Sequence, residues 1–363
     1  MNCTPPAFAA FAFLLLAPAT GQTTLVSPAH YANEEGFSAN GTPFSLSVFP
    51  IRHQQAHGDM RGTPRVIRSI AFRRDGRTTT STTWAPRVLD LTVRCAHTNL
   101  AALSATLASN YATPPATAMT RRNYTTPDLQ PVMRIVPAPF TFMIPLDQPF
   151  AYNGTLDLLW ETEAFGATGT GTQTPLDLCN SGFNLVIPGG YLMKGAGCMV
   201  PSNSSNELQL RSNISLQGFP VDAWILDFTA TSTPVSAAGV FLLGTSDPDL
   251  AVGGLCANLR VLPLITVGGT TDPAGSWKPL STITPSPRIP YQLPAVGALL
   301  ESQVAVLDPA RPDALKVSMS NGLTARLPAQ TPTVAIGRAY EVGTTTGTGT
   351  LLTGQGLVTQ FGL

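Results

Sequence analysis

Charge is what this sequence has least of: Asp, Glu, Lys and Arg make up 12% of its 363 residues, against roughly 25% in typical soluble domains. Lysine occurs only three times and the formal net charge is zero. Such a balance draws a chain to neither nucleic acid nor an anionic membrane. Breaker-free stretches are also missing. The 32 Gly and 33 Pro are scattered without period, which excludes collagen and leaves long helices nowhere to form. Past the N-terminus no segment is long and apolar enough to span a membrane. No repeat of solenoid or propeller length is present, nor a Gly-x-Ser-x-Gly elbow or a close Cys-x-x-Cys pair. Cys95-Ala96-His97 offers a thiol and an imidazole, but strand neighbours point to opposite faces, so no dyad forms there.

What is present begins with Ala7–Leu16, a short apolar run followed by Ala17-Pro18-Ala19-Thr20-Gly21. Too short to cross a bilayer and ending in small residues, it reads as a secretory signal, although Met1–Pro6 carry no Lys or Arg. Cleavage after Ala19 or Gly21 removes Cys3 and leaves Cys95, Cys179, Cys198 and Cys256 for an oxidising compartment. Cys179 with Cys198 is the expected disulfide, closing the turn-rich stretch between them. The expected localisation is secreted or cell surface, without a membrane span in the mature protein.

Alternation of apolar and polar residues then recurs, in Phe44–Phe49, Leu89–Arg94, Thr155–Glu161 and Asn184–Ile187. Further strands are expected at Leu208–Leu216, Ala223–Thr229, Gly239–Leu243, Leu259–Val267, Leu300–Leu307 and Ala314–Ser320. One helix candidate, Leu100–Ala108, places Leu100, Leu103 and Leu107 on one face. Short strands between frequent turns predict an all-β fold of two antiparallel β-sandwich domains, one jelly-roll-like and one immunoglobulin-like. The expected order is a signal peptide (1–21), a larger sandwich (22–204), a smaller immunoglobulin-like sandwich (205–330), then a Gly/Thr-rich linker and terminal strand (331–363). The polar run 202–206 marks the inner boundary.

Four groups of residues are candidates for chemistry. Glu161 and Glu163 share a strand face, as paired carboxylates of a glycoside hydrolase would. Their order is similar to the Glu-x-Asp-x-Glu strand of sandwich-fold glucanases but lacks the middle Asp and the last Glu. His53 and His57, with Asp59, are candidate ligands for a transition metal. Asp247 and Asp249, in a turn near Gly253-Gly254, could hold calcium weakly, but turn formation explains them equally well, and no cofactor is expected. Arginines crowd 61–94 with Phe72 and Trp84 interleaved; faces of strands account for them better than a polyanion reader does. Sequons at Asn40, Asn123, Asn153, Asn203 and Asn213 mark surface turns.

Leu243-Gly244-Thr245-Ser246-Asp247-Pro248-Asp249-Leu250, Gly254-Leu255-Cys256, Gln303–Pro309 and Ser320-Asn321-Gly322-Leu323 together resemble a C-terminal module of uncharacterised secreted bacterial proteins. Gln54-Gln55 and Ala71–Gly76 are similar to the N-terminal halves of the same group. The resemblance implies bacterial export and a β-sandwich arrangement, and carries over no catalytic residue. The expected function is a non-enzymatic exported protein, adhesive, structural or carbohydrate-binding, with glycans or surface proteins as partners. The alternative is a secreted glycan-active hydrolase using Glu161 and Glu163.

Overall fold

A computed structural model describes residues 23–36, 38–40, 42–44, 48–76, 86–129, 135–169, 176–180, 186–203, 206–217, 222–280, 287–330, 334–343 and 346–363. The proposed signal segment, Ser45–Ser47 of the first expected strand, Arg77 and Trp84 lie outside them. The chain is nearly all β, in several antiparallel sheets. Its strands form where the alternation is cleanest. In Val88–Thr98, Leu89, Leu91, Val93 and Cys95 are buried on one face, while Asp90 and Arg94 point to the other.

Two large apolar cores result. The first packs Ile67, Ile70, Phe72, Phe142 and Ile144 from a four-stranded sheet against Leu91, Val93, Trp160 and Ala164 from a six-stranded one. The four-stranded sheet runs Thr24–Ser27, Thr359–Gly362, Arg65–Phe72, Phe142–Tyr152. The six-stranded sheet runs Thr350–Thr353, Ile336–Val342, Ile51–His57, Asp157–Thr168, Val88–Thr98, Ala116–Thr125. Three C-terminal strands thus belong to these two sheets, and two of them are interior. Ile336–Val342 lies against Ile51–His57, and Thr359–Gly362 against Arg65–Phe72. The sequence had suggested a linker and one terminal strand here.

The second core gathers residues from Val136 to Leu327, including Trp224, Phe228, Phe241, Val304 and Leu323. It begins before the expected boundary at 204/205, because Ile187, Tyr191, Met193 and Val200 are part of it. Its largest sheet has seven strands. Pro263–Thr270 forms one edge, followed by Ala238–Gly244, Leu299–Leu307, Gly322–Arg326, Tyr191–Lys194 and Ile135–Val136, with Val317–Met319 also bonded to Leu299–Leu307.

The expected helix at Leu100–Ala108 is replaced by two 3-10 turns, Leu100–Ala102 and Leu107–Asn110. Its apolar face is nonetheless used: Leu103 packs on Ala56, Ala96 and Leu159, and Leu100 joins them. The helix is lost to longer-range bonds. Asp157 accepts the Leu100 N–H, Asn110 bonds the backbone of Ser104 in both directions, and Leu107 N–H donates to the Gly347 carbonyl. The segment becomes a strap across the six-stranded sheet.

Candidate functional site

Glu161 and Glu163 do share one face, and that face is an ionic ladder. Glu161 is fully buried and accepts four hydrogen bonds: from Arg52 Nε at 2.9 Å, Gln54 Nε2 at 2.6 Å, the Tyr111 hydroxyl at 2.5 Å and an Arg94 guanidinium nitrogen at 2.6 Å. Arg94 also reaches Glu163 at 2.9 Å. A catalytic carboxyl must be able to reach a substrate. A carboxylate enclosed by four donors, with no exposed surface, does not. The ladder braces Ile51–His57 and Val88–Thr98 against the strand between them.

His53 and His57 also share a face, but four strand residues separate them by about 13 Å, beyond the reach of one metal ion. His57 is fully buried. Its Nε2 accepts from the Trp160 indole N–H at 3.0 Å and lies 2.9 Å from Gln55 Nε2. An indole nitrogen only donates, so Nδ1 carries the proton and donates to Ser27 Oγ at 2.6 Å. Ser27 in turn donates to Asp59. The three residue types of a hydrolytic triad therefore meet here in the wrong order, with serine in the middle and the basic nitrogen facing away. Burial drives the His57 pKa down to about 3. Its role is to hold the strand ends together. His53, stacked between Trp160 and Tyr340, is held well below the usual histidine pKa by burial and by the charge of Arg338.

The arginine-rich stretch divides: Arg61 and Arg68 are exposed, but others are interior. Arg73, Arg74 and Arg87 are buried, Arg73 pairing with Asp177 at 2.6 Å and Arg74 donating to the Leu129 carbonyl at 2.7 Å.

The disulfide is Cys198–Cys256, not Cys179–Cys198. Cys179 sits in the middle strand of a three-stranded sheet in the first body, free and buried, with its Sγ bonded to the Gly356 carbonyl at 3.1 Å. Burial and the nearby Asp177 charge raise its pKa, which makes it a poor thiolate. Nearness in sequence had favoured the 179–198 pair, but Cys179 lies in that strand bonded to Gly356, whereas Cys198 lies in the loop before Met199–Val200 and is bonded to Cys256. Cys95 is the other free thiol, also buried, with its pKa pushed up to about 12 by burial.

The observed disulfide fastens two loops around a polar crevice of about 190 Å³. Lys194, Gly195 and Ala196 form one wall, Ala257, Asn258 and Arg260 the other, and Gln303, Ser320 and Gly322 the floor. Three regions far apart in sequence meet here: 194–196, 257–260 and 303–322. Two glycines permit the approach. A Cβ on Gly322 would lie 2.5 Å from Arg260 Cβ, and one on Gly197 would lie 1.9 Å from the Leu208 carbonyl oxygen. Gln303, fully buried, accepts the Arg260 N–H at 2.9 Å and donates to the carbonyls of Asn258 and Ser320 at 3.0 and 2.9 Å.

Asp247 and Asp249 border this crevice, where cations already engage both. Lys194 Nζ lies 3.0 Å from Asp247 and 3.2 Å from Glu301, while Arg260 lies 2.9 Å from Asp249 and 3.6 Å from Asp247. Calcium would have to displace both cations. Burial opposes the Lys194 charge, but hydrogen bonds and charge from Asp247 and Glu301 outweigh it and raise the pKa. Burial likewise opposes ionisation of Asp247, and Lys194, the Asp249 N–H and Arg260 overcome it to lower that pKa. The two cations line the crevice, and Asp247, Asp249 and Glu301 pair with them from beside it. The sequence reading reached Asp247 and Asp249 but missed Lys194, Asn258 and Arg260, which lie in no recognisable motif. Only Ser320, Gly322 and Gln303 fall within stretches that carry the family resemblance.

The chain matches no known family model, no curated protein and no solved structure.

Proposed function

We propose that this is an exported, non-enzymatic β-sandwich protein of the cell surface or extracellular space that recognises neutral carbohydrate through the Lys194–Arg260–Gln303 crevice. The observation that carries this reading is the crevice itself: fixed amide and charged groups between walls of Gly and Ala, held by Cys198–Cys256. Small walls let a hydroxylated ring approach the backbone, and Lys194, Asn258 and Arg260, half-buried and already fixed by their ion pairs and hydrogen bonds, retain further donors and acceptors for it at little ordering cost. The carboxylates that pair with Lys194 and Arg260 offset their charge, so the crevice has no excess charge to attract an anionic ligand. At about 190 Å³ the space is below the roughly 300–1,000 Å³ of drug-sized pockets, which suits one ring at the end of a glycan. A disulfide accords with export, as does the apolar N-terminal segment. The hydrolase alternative loses its support because Glu161 is saturated by four donors.

The test is retention of the protein on immobilised neutral and acidic glycans, alongside Ala196→Trp, which fills the crevice from an exposed position. The expected outcome is binding to a neutral glycan that Ala196→Trp loses. Failure of the native protein to retain any glycan overturns the reading.

A further inference from the structure

A strand at the end of a sheet offers backbone N–H and C=O groups that another strand can pair. Pro263–Thr270 is such a strand. It is bonded to Ala238–Gly244 on one side, and among the described residues nothing pairs its other side. Proteins ordinarily protect a long edge with lysine, an inward charge, a mid-strand proline or a bulge. Here the sequence holds no charged residue from Val261 to Thr271, its proline is the first residue of the strand, and the one register shift falls at its start.

The side chains are as unprotected as the backbone. Leu262, Leu264 and Ile265 are 59%, 71% and 54% exposed. Leu264 is the unpaired residue at the register shift, between Pro263 and Ile265, which face Gly244 and Leu243. The start of the edge is therefore exposed and apolar, and Gly268 has open space where a Cβ would stand.

We propose that the protein forms a two-fold symmetric dimer by antiparallel pairing of Pro263–Thr270 with the same strand of a second copy. Antiparallel pairing of a strand with itself is two-fold by geometry, so each copy presents one patch to the identical patch. Charge permits it at both scales. The strand has none to repel its mate, and the whole chain carries a formal net charge of zero. A charged partner would find no counter-charge along this edge. The pairing joins two seven-stranded sheets into one and covers Leu262, Leu264 and Ile265 of both copies.

Light scattering on the size-fractionated mature chain tests this. Twice the monomer mass is expected for the native protein. Leu264→Lys and Ile265→Lys weaken dimerisation roughly tenfold or more, with unchanged circular dichroism showing that the fold survives. Leu293→Lys, which replaces a 77% exposed leucine outside this edge, leaves the dimer intact. Thr266→Cys, in the middle of the strand, gives a cross-linked dimer under oxidation. A native protein that is monomeric at every concentration tested, or a dimer that both lysine variants leave untouched, overturns the proposal.

Discussion

Glu34, Glu35 and Asp177 are acids kept where acids are costly. Glu34 is buried beside Arg326 at 3.5 Å, Glu35 accepts the Gly76 N–H at 2.7 Å, and Asp177 accepts the Gly36 N–H at 2.8 Å while pairing with Arg73. Burial raises Glu34 to about 7 against the pull of Arg326 and Arg73, and Asp177 to about 6 against that of Arg73, while burial with the Asp177 charge raises Glu35 well above the carboxylate range. The folded state holds protons that the unfolded chain has released. Their stabilisation is complete below the ordinary carboxyl pKa and is lost as pH rises through the raised values. His57 works in the opposite sense: with its folded pKa near 3, its contribution is present above the ordinary histidine pKa and is lost as pH falls. His30, His53 and His97 are lowered by burial as well, so between pH ~6.5 and ~8 the imidazoles gain stability while the carboxyls lose it. The Glu34 share is read by comparison: in urea denaturation, raising the pH from ~6.5 to ~8 should cost the native protein about 1 kcal/mol more than it costs Glu34→Gln. An equal pH response in the two would mean that Glu34 ionises normally. None of this was legible in the sequence, where Glu34-Glu35 stands in an unpatterned stretch and its neighbours Asp177 and Arg326 are far along the chain. The shared face of Glu161 and Glu163 was legible from strand parity, but their saturation depends on Arg52, Gln54, Arg94 and Tyr111, which only the folded sheet assembles.

At the scale of elements, the disulfide and the two glycine-bearing loops are one device. Cys198 and Cys256 are 58 residues apart, and closing a loop of that size restricts the unfolded chain by about 4 kcal/mol. Cys256→Ser should lower the unfolding free energy by that order and weaken any crevice ligand, because the wall Ala257–Arg260 loses its tether to Gly195–Cys198. A variant as stable as the native protein would show that backbone pairing alone holds the loops. Most strands were legible element by element, since period-two alternation is local: Leu89–Arg94, Gly239–Leu243 and Leu300–Leu307 all fall within observed strands. Partners were not. Gln55 on one strand accepts the Leu357 N–H at 2.6 Å and donates to the Leu357 carbonyl at 2.9 Å, a contact across 302 residues that no local pattern encodes. That is why 336–362 looked like an appendage when two of its strands are interior.

For the whole molecule, scarce charge, frequent turns and alternating strands sufficed to identify an all-β chain, because each signal acts through short-range physics. Its division into bodies was less legible. The chain enters the second core at Val136, leaves it, returns at Ile187 and later goes back to the first sheets at Ile336. The crevice and the free edge lie on the same side of that second core, since Arg260 lines one and Leu262 begins the apolar run of the other. The account rests chiefly on the crevice as a carbohydrate site. Its most direct test is backbone amide NMR during titration with the glycan that best retains the protein. Shifts concentrated at Gly195, Asn258, Gly322 and their neighbours, and absent along the Glu161–Arg94 ladder, are predicted; shifts confined to the ladder or to any other surface would contradict it.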